Sequence, residues 1–145
     1  MLAGGAVMAL VYDVDRVTRD VDGLISAQHG AVITAAHRVA SELELPRGWL
    51  NEGVSTYLST QPDPGAAMVF DEPGLSVYAV SGEHMIALKA RAARAQDVAD
   101  LRVLIEHFDL TSASQIFTIA AQFFPDDPMP PKSVALIEDL FDASS

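Results

Sequence analysis

The chain has 145 residues, half of them apolar and a fifth charged, with a formal net charge of −11 at pH 7. That length suits one domain with a real core, and the balance of apolar to charged residues excludes intrinsic disorder. A sequence without cysteine excludes disulfides and thiolate metal sites, and the acidity argues against nucleic-acid binding driven by bulk electrostatics.

No apolar run reaches the roughly 18 residues that a membrane-spanning helix needs. The opening Met1-Leu2-Ala3-Gly4-Gly5 lacks the basic segment of a signal peptide, so the expected setting is cytoplasmic, with no membrane partner. The charges are unevenly spread. Four of the nine basic residues, Lys89, Arg91, Arg94 and Arg102, fall within fourteen positions. Such a cluster is either a local anion-binding lobe or a solvated helix face of mixed charge.

In chain order, residues 3–12 read as a strand end, a glycine turn at Gly4-Gly5 and a short buried helix. Residues 19–25 alternate charged and apolar side chains, as a half-buried strand does. Residues 32–45 carry a helical stripe of Val32, Ala35, Ala36, Val39, Ala40 and Leu43, closed by Pro46. Residues 49–58 read as a short helix. Residues 67–70 and 75–80 read as two strands joined by Asp71-Glu72-Pro73-Gly74. Four helices are then expected, over 83–95, 97–108, 112–124 and 133–141, with Thr111 or Ser112 capping the third. The implied fold is α/β (of the α+β kind): a small mixed core over 1–80 and a helical lobe over 81–145, together one domain.

The chemistry-bearing constellation is Asp20-Val21-Asp22 downstream of Gly4-Gly5. On a strand, residues i and i+2 share a face, and two neighbouring carboxylates attract a hard cation such as magnesium. Glycines without Cβ let the main chain approach a phosphate. A second Asp-x-Asp, Asp13-Val14-Asp15, reads as surface turn. Lys89, Arg94 and Asp97 are spaced so that a shared helical face is feasible. The histidines His29, His37, His84 and His107 are expected in structural or surface roles, and Trp49 in packing.

The runs Gly4-Gly5-Ala6-Val7-Met8-Ala9-Leu10 and Arg16-Val17-Thr18-Arg19-Asp20-Val21-Asp22 resemble the first motif of the nucleotidyltransferases related to AbiEii- and MenT-type toxins. Leu45-Pro46-x-x-Trp49-Leu50-Asn51-Glu52, and the stretch from Tyr78 to Leu101, are similar to later segments of a compact bacterial branch. The resemblance implies that Asp20 and Asp22 hold magnesium, with Gly4, Gly5 and Thr18 at the nucleotide. It also implies that Lys89 and Arg94 contact phosphate, and that Asp97 orients the lysine or assists deprotonation. The implied activity is transfer of a nucleotide from an NTP to an RNA (a tRNA end) or a protein hydroxyl. The implied setting is a toxin–antitoxin pair, with a cognate antitoxin as partner. Many nucleotidyltransferases use a third metal carboxylate on a later strand, for which the resemblance offers Asp71; the competing expectation, suggested by the lack of a clear match to that third carboxylate, is a catalytically degenerate nucleotide-binding or protein-interaction module of the same fold.

Overall fold

Ala3 and Gly4 join a strand to a helix with no loop between them. Strand β1 (Leu2–Ala3) runs straight into helix α1 (Gly4–Val11), and Gly4 makes the change of direction at φ +70°, a conformation that costs a side-chain-bearing residue about 1–2 kcal/mol. The computed structural model describes residues 1–15 and 18–143, so Arg16 and Val17 of the first motif lie outside the described residues. Ala6, Val7 and Met8 of α1 are buried, as expected.

Strand β2 (Val21–Gly23) pairs antiparallel with β1, with Leu2 opposite Gly23 and Ala3 opposite Asp22. It is shorter than the expected strand and leaves Asp20 one residue outside. Helix α2 (His29–Leu43) buries Ala36 and Ala40. Residues 49–58 are not a helix. Leu50 and Asn51 form strand β3, parallel to β2, and only Gly53–Thr56 coils, as a single 3₁₀ turn. The open edge of β2 overrides the local pattern: Val21 donates to the Trp49 carbonyl at 2.6 Å, and Trp49 Nε1 donates to the Ala36 carbonyl at 2.9 Å.

Strands β4 (Ala67–Glu72) and β5 (Leu75–Ala79) form the expected hairpin, turning at Gly74 with φ +89°. Strand β5 runs parallel to β1, which completes a mixed sheet of order β3-β2-β1-β5-β4. Four further helices follow: α3 (Gly82–Ala92), α4 (Asp97–His107), α5 (Ala113–Phe123) and α6 (Pro131–Asp142). Ser112 caps α5 through a reciprocal capping box with Gln115. The fold class is therefore α/β, with one five-stranded mixed sheet among the described residues. No helix of the described residues is long and apolar enough to cross a membrane.

The chain divides into two compact units. One comprises residues 1–58 and 66–80; the other comprises 59–65 and the residues from 81 onward. Segment 59–65 belongs with the helices because its polar groups are tied there. Ser59 N donates to His84 Nε2 at 3.1 Å, and Asp63 Oδ2 accepts from Ser81 N at 2.9 Å and lies 3.1 Å from His84 Nδ1. An Nε2 that accepts must be unprotonated, so Nδ1 carries the proton and donates to Asp63. The ring also stacks on Phe123 with centroids 4.6 Å apart.

Burial pushes the His84 imidazole below its ordinary value of 6.5, outweighing the opposite influence of Asp63. The folded protein thus holds His84 neutral, while the unfolded chain takes up a proton as pH falls through that value. The stability contributed by His84 is present above pH 6.5 and is lost as pH falls below it. Its slope is at most about 1.4 kcal/mol per pH unit. Urea unfolding at pH 7.5 and 5.5 should show a lower midpoint at 5.5, and His84→Gln should flatten that difference. Equal pH dependence in both proteins would remove His84 as its cause.

Candidate functional site

The β1–α1 junction and β2 create one polar corner. Asp22 lies opposite Ala3, and a Cβ built on Gly4 would meet Asp22 Oδ2 at 2.9 Å. The carboxylate therefore rests against the bare Cα of Gly4, where any other residue would displace it. It also sits beside the first turn of α1, whose leading N–H groups have no side-chain cap from Ala3. Such a helix start favours negative charge. Gly5 is the next residue of α1.

Asp20 is exposed, just ahead of β2. The Thr18 hydroxyl donates to the Asp20 carbonyl at 2.8 Å, so Thr18 shapes the turn that presents Asp20. Asp71 is placed elsewhere. It lies on β4, accepts from Ser76 Oγ at 2.9 Å, and is separated from β2 by β1 and β5. Three strand spacings of about 4.8 Å put it roughly 14 Å away across the sheet. The expected third metal carboxylate is thus not at this corner, and among the described residues no group of three or more His, Asp or Glu side chains could hold a metal.

Two carboxylates nevertheless fit magnesium of one particular kind. Magnesium keeps several waters and is commonly held by one or two carboxylates together with substrate phosphates, rather than by an all-protein cage. Asp22 against Gly4, with Asp20 exposed just ahead of β2, would supply carboxylates of that kind.

Lys89, Arg94 and Asp97 do meet, in the helical unit. Lys89 Nζ lies 3.2 Å from Asp97 Oδ1 and 2.6 Å from Asp100 Oδ2, while Arg94 Nε donates to Asp97 Oδ2 at 2.8 Å. Lys89 is 7 % exposed and both aspartates 1 %. Asp97 also accepts from the Arg94 main-chain N–H at 3.2 Å, closing the turn that starts α4. Burial raises the Asp97 carboxyl, but the Arg94 hydrogen bonds and the Lys89 charge more than offset this and hold it below the usual carboxylate range. In this geometry Lys89 is an internal counter-ion, in place of the expected phosphate contact. A phosphate would have to displace two buried carboxylates to reach it. Asp100 is the member that site assignment from sequence left out; its i, i+3 relation to Asp97 on α4 was the available signal.

The stretch from Trp49 to Glu52, where the sequence suggested packing for Trp49, braces β2 at both ends. Trp49 accepts from Val21 as described, and Glu52 accepts from Ile25 N at 3.0 Å and from His29 Nε2 at 2.6 Å. The Ile25 N–H and the His29 ring hold Glu52 below the usual carboxylate range. No protein-family profile, curated protein or solved structure matches the chain.

Proposed function

We propose that the first unit is the working centre of a magnesium-dependent nucleotidyltransferase. The observation that carries this is the Asp22 carboxylate held against Gly4 at a strand-to-helix junction, with Asp20 two residues away. In the proposed reaction an acceptor hydroxyl oxygen attacks the α-phosphorus of an NTP. The bond from that phosphorus to the bridging oxygen breaks, pyrophosphate departs, and the hydroxyl proton passes to solvent. Asp20 and Asp22 would hold a magnesium ion, whose chemistry is to neutralise charge on the triphosphate and on the oxygens exchanged at phosphorus. Gly4 and Gly5 let the main chain approach the phosphates, and Thr18 fixes the turn that presents Asp20. The support comes from the first unit alone, since Lys89, Arg94 and Asp97 bind one another.

The acceptor we propose is an RNA such as a tRNA end, or a protein hydroxyl, in a cytoplasmic toxin–antitoxin setting with a cognate antitoxin. The net charge of −11 favours an acceptor recognised locally over one bound along a long phosphate backbone. A second reading, a nucleotide-binding module without turnover, is favoured by the placement of Asp71 far from Asp22.

Calorimetric titration with ATP, CTP, GTP and UTP in magnesium tests the proposal. Wild-type protein should bind at least one of them only when magnesium is present, and the Asp20→Ala/Asp22→Ala double variant should bind none. Binding that survives in the double variant, or no binding by wild type, would overturn it. Binding without transfer to any acceptor would favour the second reading.

A further inference from the structure

We infer that Asn51 is a phosphate-binding residue of the same corner, donating from its side-chain amide to the triphosphate of a magnesium-bound NTP; the inference rests on the proposed function. Asn51 and Asp22 are register partners on the parallel strands β3 and β2. Partners in register project from the same face of a sheet, with Cβ atoms about 5 Å apart. The row Ala3, Asp22, Asn51 therefore crosses three strands on one face, and Gly4 begins at its end.

The orientation of the Asn51 amide is fixed as well as its position. Its Oδ1 accepts from Gly53 N at 3.0 Å, a local turn of the Asx kind. Gly53 is itself suited to that turn, because a Cβ there would come within 3.1 Å of Oδ1. An asparagine has one carbonyl acceptor and an NH₂ group with two donors. With the acceptor engaged, what Asn51 can offer a ligand is Nδ2, and among the described residues no group accepts from it. The Trp49–Val21 and Glu52–Ile25 hydrogen bonds on either side keep β3 in this register.

The chemistry selects the ligand. Asp20 and Asp22 offer only acceptors, so a metal-bound triphosphate beside them needs a donor for its peripheral oxygens. A neutral amide supplies two N–H groups without adding a positive charge to compete for the carboxylates that would hold magnesium. Asn51 thus complements the acidic pair where a lysine would neutralise it.

The test compares wild type, Asn51→Asp and Asn51→Ser, titrated in magnesium with ATP and with inorganic triphosphate. Both variants keep an oxygen able to accept from Gly53 N, and urea midpoints close to wild type will show that the turn persists. Asn51→Asp, whose ionised side chain has no donor, should weaken ATP binding at least about tenfold, and Asn51→Ser, which trades two N–H donors for one O–H on a shorter side chain, should lose less. Inorganic triphosphate should show a matching loss. Asn51→Asp binding ATP as wild type does, while Asp22→Ala does not, would overturn the assignment of Asn51 and leave the parent proposal standing. A loss confined to ATP and absent for triphosphate would overturn the phosphate contact. Absence of binding by wild type would overturn both.

Discussion

Lys89→Met is expected to destabilise the helical unit by about 3–5 kcal/mol, because removing one partner of a buried ion pair strands the other. Here two buried carboxylates would lose the same counter-ion. Asp97 and Asp100 are each 1 % exposed, and Asp100 Oδ2 is 2.6 Å from the lysine ammonium. Asp97 would keep its bonds from Arg94, so the penalty reports the lost lysine charge rather than a wholly unpartnered carboxylate. Methionine retains the stem that packs in α3 and removes only the charge, which separates electrostatic loss from a cavity. Replacing all three charges by apolar residues, Lys89→Met with Asp97→Leu and Asp100→Leu, should restore most of the stability, since the desolvation cost then disappears with the charges. Urea midpoints of wild type, single and triple variants decide this. A single variant as stable as wild type would mean that the cluster is not the internal counter-ion array that its burial implies.

Under the proposed reaction, Asp22→Ala is expected to lower nucleotide transfer by roughly 10²-fold or more, the scale of losing one charge-stabilising group from an active centre. Asp71→Ala should leave transfer at the wild-type rate. The contrast follows from strand order: Asp22 stands beside Gly4, whereas β1 and β5 intervene between β2 and the strand that carries Asp71. Neither change should unfold the protein. Asp22 is half-buried on a short strand, and Asp71 is exposed on the edge of the sheet with a single bond to Ser76. Single-turnover assays with radiolabelled NTP, on variants matched for urea midpoint, measure the difference. Equal losses at both positions would place Asp71 in the reaction and contradict the separation given by the sheet. Equal retention would remove Asp22 from it.

Much of the fold was legible because local rules decide it. The stripe of Ala36 and Ala40 wrote α2, Asp71-Glu72-Pro73-Gly74 wrote the hairpin, and Ser112 with Gln115 wrote the start of α5. Gly4 was legible as a special position because a strand that turns at once into a helix needs a residue free to adopt positive φ. The identities of Asp20, Asp22 and the charged group around Lys89 were likewise readable from spacing.

Partnership was not readable, because it depends on which segments meet. Residues 49–58 have helical spacing, yet the edge of β2 needed a partner for its N–H and carbonyl groups and took Leu50 and Asn51 as a strand. Asp71 looked like a third carboxylate only while the strand order was unknown. Lys89 looked like a phosphate contact until burial placed it between Asp97 and Asp100, where charge pairing within the protein holds it. The sequence by itself determined which residues carry charge, glycine freedom and helical periodicity, since these act over a few neighbouring positions. The tertiary structure alone decided which charges neutralise each other and which stand apart from them, since that depends on strand order and burial across dozens of residues.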